Sequence, residues 1–108
     1  RPEDMTLEEH LLSLVDGDNP ELLREELDRL RPEDIAEAFQ RMPREDTQHV
    51  LSALDAETAA YVLIELPTET ARALVRDLAD ETLAHYLDVL PMDDALDLRE
   101  EVGAERFN

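Results

Sequence analysis

The sequence predicts an all-α fold, a superhelix of short helices of the armadillo-like solenoid kind, built on a twelve-residue repeat. Three observations carry that expectation. First, from Asn19 to Val102 the chain divides without insertion or deletion into seven units of twelve: NPELLREELDRL, RPEDIAEAFQRM, PREDTQHVLSAL, DAETAAYVLIEL, PTETARALVRDL, ADETLAHYLDVL and PMDDALDLREEV. Second, the third place of each unit is acidic (Glu21, Glu33, Glu45, Glu57, Glu69, Glu81, Asp93) and the twelfth is apolar (Leu30, Met42, Leu54, Leu66, Leu78, Leu90, Val102). Third, apolar residues recur at places five, eight, nine and twelve, as in Ala59, Val62, Leu63 and Leu66 or Ala71, Leu74, Val75 and Leu78. That i, i+3, i+4, i+7 spacing puts one stripe on one helix face and does not suit a strand. A fixed short period is the mark of a stacked array.

The elements follow in order. Residues 1–18 form a lead-in: Arg1, Pro2, Glu3 and Asp4 are polar, and Thr6 with Glu9 three places later has the spacing of a capping box. Leu7, Leu11, Leu14 and Val15 then make an apolar stripe. Asp16-Gly17-Asp18-Asn19-Pro20 stops this helix, with Gly17 expected in the left-handed position after the helix end. Pro20 opens the next helix, where its missing N–H costs nothing. Residues 19–102 are the seven-unit repeat, each unit a helix of roughly nine or ten residues and a tight turn. Pro43, Pro67 and Pro91 open alternate units, so Met42, Leu66 and Leu90, which precede them, are expected to end their helices. Helices this short fall below the roughly 12–15 residues that stand alone in water, so they must be held by stacking. The last unit departs from the pattern with Arg99 at its ninth place, and residues 103–108, with Gly103 and Phe107, read as the domain edge or a link onward.

Composition narrows the function. The formal net charge is −19, which repels nucleic-acid phosphates and anionic lipid heads and favours cations or a basic protein surface. The same charge also serves solubility or life at high salt. There is no cysteine, so disulfides, thiolate metal sites and cysteine nucleophiles are excluded. No apolar run approaches the ~20 residues of a membrane span and no signal-peptide pattern is present; the chain opens on Arg1, as a piece of a longer protein would. No phosphate loop, nucleophile elbow or zinc motif occurs, and the carboxylates stand on short helices rather than in a pocket, so an enzyme is not expected.

The third-place acids lie in first helical turns, where the helix dipole favours them by ~0.3–1 kcal/mol without any ligand. The adjacent pairs Glu33-Asp34, Glu45-Asp46 and Asp93-Asp94 are less fully explained, because neighbouring carboxylates repel. Hard oxygen donors at a surface turn suit magnesium or calcium with water completing the shell, although no EF-hand loop is present. His49, Tyr61 and His85 share the seventh place of their units, off the apolar stripe, and are expected on an outer face.

The units RPEDIAEAFQRM, DAETAAYVLIEL and PTETARALVRDL resemble the repeats of the N-terminal cytosolic domain of the MgtE family of magnesium transporters: Pro-x-Glu-x-Ala, an apolar pair, and a closing Leu before the next Pro. The likeness spans about Leu7 to Val102. The helical module of the flagellar motor switch protein is similar, and a protein–protein docking array of that type is the alternative. The MgtE resemblance implies a right-handed superhelix followed by CBS domains and a dimeric membrane pore. It implies a domain at the cytoplasmic face of the membrane that senses Mg2+ through acids shared with the CBS domain and so closes the pore. One family acid falls on the third place of the last unit, where Asp93 stands with Asp94 beside it. Another falls on the seventh place of the fourth unit, where this chain has Tyr61, so Glu57 one turn earlier or Glu65 one turn later would have to substitute. The metal candidates are therefore Asp93, Asp94 and Glu57. The resemblance implies Mg2+ as the cation, weakly held and regulatory, at a site that the CBS domain completes. The partner is that CBS domain within a homodimer, with no nucleic acid and no membrane insertion by this segment.

Overall fold

A computed structural model describes residues 4–102, and among these every regular element is a helix and none a strand. In order they are α1 (Leu7–Asp16), α2 (Pro20–Asp28), α3 (Pro32–Phe39), α4 (Arg44–Ala53), α5 (Ala56–Glu65), α6 (Thr68–Arg76), α7 (Asp80–Val89) and α8 (Met92–Val102). From α2 onward the first helical residues are 20, 32, 44, 56, 68, 80 and 92, so each helix begins twelve residues after the last. The third-place acids all fall in first turns. The expected edge at 103–108, including Gly103 and Phe107, and the polar start Arg1-Pro2-Glu3 lie outside the described residues.

Local chemistry sets the helix ends. Thr6 caps α1 in a reciprocal box: its Oγ1 accepts from the Glu9 N–H at 3.2 Å, and its own N–H donates to Glu9 Oε1 at 2.9 Å. Those bonds hold the Glu9 carboxyl below its usual pKa, the backbone donor first and the Thr6 hydroxyl second. Asn19 caps α2 by accepting from the Leu22 N–H at 3.1 Å, and Asp55 caps α5 by accepting from the Thr58 N–H at 2.9 Å. At the far end of α1 the expected left-handed Gly17 is corrected. Gly17 stays right-handed (φ −73°, ψ −7°) and its N–H closes on the Ser13 carbonyl at 2.9 Å, while Asp18 takes the positive φ of 51°. An aspartate tolerates that region because its short polar side chain can bond locally. Gly17 itself continues the helical winding by one residue instead of ending it.

Leu66 and Leu90 close α5 and α7 in extended conformation before Pro67 and Pro91, as the following proline requires. Met42 does not close α3. That helix stops at Phe39, and three tighter i→i−3 bonds, from Gln40, Arg41 and Met42 to Glu37, Ala38 and Phe39, carry the chain on. The tighter winding satisfies the last carbonyls and turns Met42 into the core.

The stripe residues are the core. Ile35, Ala38, Phe39, Val50, Leu51, Ala59, Val62, Leu63, Ala71, Leu74, Val75, Leu83 and Leu98 are buried. Tyr86 takes the eighth place of its unit, and Thr47 the fifth of its own, its hydroxyl donating to the Arg44 carbonyl at 2.7 Å. Helices α3 and α5, which pack most extensively on each other, also bury the sixth place, Ala36 and Ala60. Alternate helices pack together (α1 on α3, α2 on α4, α3 on α5, α5 on α7, α6 on α8), and α1 also meets α2 and α4 while α8 also meets α5 and α7. Helices α4 and α6 pack less closely and are joined by the Gln48–Asp77 hydrogen bond. The molecule measures 48 × 22 × 21 Å along its principal axes. No helix among the described residues is long and apolar enough to cross a membrane.

Candidate metal site at the seam of α5 and α8

Helix α5 packs against α3 and α7 through its apolar stripe and against α8 along another side. Its residues Glu57, Tyr61 and Glu65 recur at i, i+4, i+8 and so share one face. On α8, Asp94, Asp97 and Glu101 recur at i, i+3, i+7 and share one face in turn. The two rows meet. The half-buried Tyr61 hydroxyl donates to Asp94 Oδ2 at 2.8 Å, a charge-assisted bond between helices 33 residues apart in the chain. Tyr61 thereby holds its proton more tightly: the bond to Asp94 is the first cause, followed by burial and by the negative charges of Asp94 and Glu57. Two carboxylates, one from each helix, thus act on a single phenol.

The sequence candidates fall on this seam in different ways. Glu57 and Asp94 are brought to the same tyrosine. Asp93, one residue before Asp94, is exposed in the first turn of α8. Tyr61, expected on an outer face, is instead a fastening between two helices. Farther along, Glu101 is half-buried, and burial first, then the charges of Glu65 and Asp97, push its carboxyl up to about 7. Its backbone carbonyl accepts from Arg72 Nε at 2.9 Å. Asp97 and Glu101 were not singled out by sequence reasoning; their i+3 and i+7 spacing from Asp94 was the available signal.

The other adjacent acids behave as surface charges. Asp34 lies 3.6 Å from Arg31, an exposed pair of the kind worth little. His49 and His85 are exposed, and His10 sits 3.4 Å from Glu26 on the far helices α1 and α2. Among the described residues no group of three His, Cys, Asp or Glu side chains is placed to enclose a metal ion. Glu57, Asp93 and Asp94 are nonetheless hard oxygen donors of the class magnesium takes, and magnesium commonly keeps several waters while using one or two carboxylates. The donor set therefore fits the ion in kind and falls short of a closed cage in number.

The comparisons with known proteins bear on this directly. The family described as the MgtE intracellular N domain matches residues 30–108, which covers every helix from α3 to α8. Neither the curated proteins nor the solved structures give a match.

Proposed function

The chain belongs to the MgtE intracellular N domain family, and from that premise we propose that it is the magnesium-sensing regulatory domain of a magnesium transporter. The family is one of transporter domains rather than of enzymes. In this reading the stack is a superhelix that presents the α5–α8 seam to a CBS domain of the same transporter, within a homodimer at the cytoplasmic face of the membrane. Glu57, Asp93 and Asp94 form this chain's half of a shared site.

The observation that carries the reading is the Tyr61–Asp94 bond with Glu57 close by, because it fixes acids from two helices at one place. A chain of net charge −19 resists approach by another acidic surface. A divalent cation, when bound, supplies the charge that relieves such repulsion. The chain's own residues do the remainder. Asp94 is held by one oxygen, so its second stays available, and in this reading Glu57 and Asp93 stand exposed to solvent beside it. Weak, open donors of this kind release an ion as its concentration falls, which a sensor requires.

The test is a magnesium titration followed by amide NMR at ~150 mM potassium, where the Debye length is ~8 Å and general charge effects are screened. The expected result is saturable shifts confined to residues 56–61 and 92–95, abolished in the Asp93→Asn/Asp94→Asn double variant. Addition of the CBS domain should tighten the apparent affinity. Uniform, unsaturating shifts at every first-turn acid, together with no magnesium-dependent association with the CBS domain, would sink the proposal.

A further inference from the structure

The arginines of this acidic chain mostly hold an oxygen of their own. Arg29, Arg31 and Arg41 each pair with an acid three or four residues away, Glu26, Asp34 and Glu37. Arg72 donates to the Glu101 carbonyl. Arg44 and Arg76 are different. Three and four places after Arg44 stand Thr47 and Gln48, and three and four before Arg76 stand Ala73 and Arg72, so neither has an acid one turn away on its own helix. Among the described residues neither guanidinium makes an ion pair or a hydrogen bond. Each is also the sole basic residue at its place in the repeat, the second and the tenth. Arg44 stands in the first turn of α4, where the helix dipole disfavours a cation. Two positive charges thus break the template without serving the fold.

They come to one place. Gln48, one turn after Arg44 on α4, donates through Nε2 to Oδ2 of Asp77, the residue after Arg76, at 2.5 Å. That bond holds the start of α4 beside the end of α6, and both arginines, exposed, line one cavity of about 560 Å³. Buried Phe39, Met42 and Leu74 close its floor, and exposed Gln40 and half-buried Thr70 add polar lining. Glu69 is the one acid in the lining, seven residues before Arg76 on α6. That is about 10 Å along the helix axis, beyond the Debye length of ~8 Å at physiological salt. Two positive charges therefore face one distant negative, in a chain of net charge −19. The cavities beside Arg41 hold more acids than arginines, Glu8, Asp34 and Glu37 in one and Glu33, Glu37 and Glu65 in the other.

Charge and size select the ligand. Two guanidinium forks present N–H donors to one tetrahedral anion and balance two charges on it, whereas a monocarboxylate occupies only one fork. A nucleic acid or an acidic protein surface brings many charges against the whole field of the chain. A small anion in screened solution feels chiefly the two arginines beside it. The cavity is within the ~300–1,000 Å³ of small-molecule sites. We propose that the cleft between α4 and α6 binds a small phosphate-bearing anion, gripped by Arg44 and Arg76. The site shares no residue with Glu57, Asp93 and Asp94 and needs no cation bound there.

The experiment uses the full 108-residue chain, free of magnesium, at ~150 mM KCl and constant ionic strength. Sodium phosphate, pyrophosphate, ADP and acetate are titrated in turn, and amide and arginine Nε–H signals are followed by NMR. Pyrophosphate should give saturable shifts at the Arg44 and Arg76 side chains and the amides of Gln40 and Thr70, with phosphate moving the same signals at higher concentration. Arg44→Gln and Arg76→Gln should each weaken pyrophosphate at least about tenfold, the loss of one charge-assisted contact, and the double variant should abolish saturable binding. Arg29→Gln removes the same charge away from the cavity and should change the affinity by less than about twofold. Both cavity arginines are exposed and unpaired, so their variants should keep the fold, which amide spectra confirm. Displacement of pyrophosphate by ADP upholds the site for the phosphates of a nucleotide; pyrophosphate binding untouched by ADP upholds it for inorganic phosphates. Absence of saturable shifts with pyrophosphate, equal binding of acetate, or an equal loss in Arg29→Gln and Arg44→Gln overturns the proposal.

Discussion

Helices α5 and α8 are written on one twelve-residue template and put it to opposite uses. Each opens with an acid at the third place and closes on an apolar twelfth, Leu66 and Val102. In α5 the fifth, sixth, eighth and ninth places, Ala59, Ala60, Val62 and Leu63, are all fully buried. In α8 the ninth place is the exposed Arg99, and Met92 and Leu96 stand 78% and 51% exposed. Helix α5 lies among α3, α7 and α8, whereas α8, the last helix described, packs on α5, α6 and α7 and leaves its outer face in solvent. A platform and a surface element therefore arise from the same sequence rule, and the Tyr61–Asp94 bond joins them.

The largest expected effect breaks the platform. Leu63→Ala deletes a wholly buried side chain of α5 between neighbours on both sides, and should cost about 3–5 kcal/mol in urea unfolding. Leu98→Ala in α8 removes an equally buried leucine, but α8 has room to settle; about 2–3 kcal/mol is expected. Equal losses at the two sites would refute the distinction between a gripped and an end helix.

Next in size is the cap of α5. Asp55→Ala removes the acceptor for the Thr58 N–H and should cost about 1 kcal/mol. The Thr58 hydroxyl, first, and its backbone N–H, second, hold the Asp55 carboxyl below the ordinary aspartate value of 3.8. The lowered folded pKa means that this contribution is present above 3.8 and is lost as pH falls through the folded value. An acid-side thermal-melting profile should therefore flatten in the variant.

Helix α8 carries the reverse signature. Glu101 rises from 4.5 to about 7, so the folded chain binds a proton that the unfolded chain releases. Its ionisation opposes folding: the penalty is absent below about 4.5, grows between 4.5 and 7, and is complete above about 7. Glu101→Gln should remove that decline, raising the melting temperature at pH 8 and leaving it little changed at pH 4. The two helices would then differ in the sign of their pH dependence as well as in their burial.

Much of this was legible in the sequence, and the boundary is physical. Helix starts, first-turn acids, the Thr6–Glu9 box and the buried stripe follow from local periodicity, and the structure places them where the repeat does. Contacts between units do not follow from a repeat that makes every unit alike. Nothing local marks α8 as the neighbour of α5, or α1 as the neighbour of α4. Tyr61 reads as a surface residue by its place in the unit and becomes a bridge only because Asp94 arrives from 33 residues away. Gly17 departs in the other direction: the usual link between glycine and a left-handed end does not hold here, where Gly17 keeps the helical bond to Ser13 and Asp18 takes the turn.

The smallest effect is expected on the outer face of α8. Met92 and Leu96 lie one turn apart and largely in solvent, so neither contributes much buried apolar area to the fold. The Met92→Ser/Leu96→Ser double variant should change unfolding stability by no more than about 0.5 kcal/mol, the range of ordinary surface substitutions. Leu98, two residues beyond Leu96, faces inward and is fully buried. The contrast between a near-silent pair and a costly leucine on one helix would fix the orientation of α8 on the stack. A loss comparable with that of Leu98→Ala would mean that the outer face is covered in solution, and that α8 is as firmly gripped as α5.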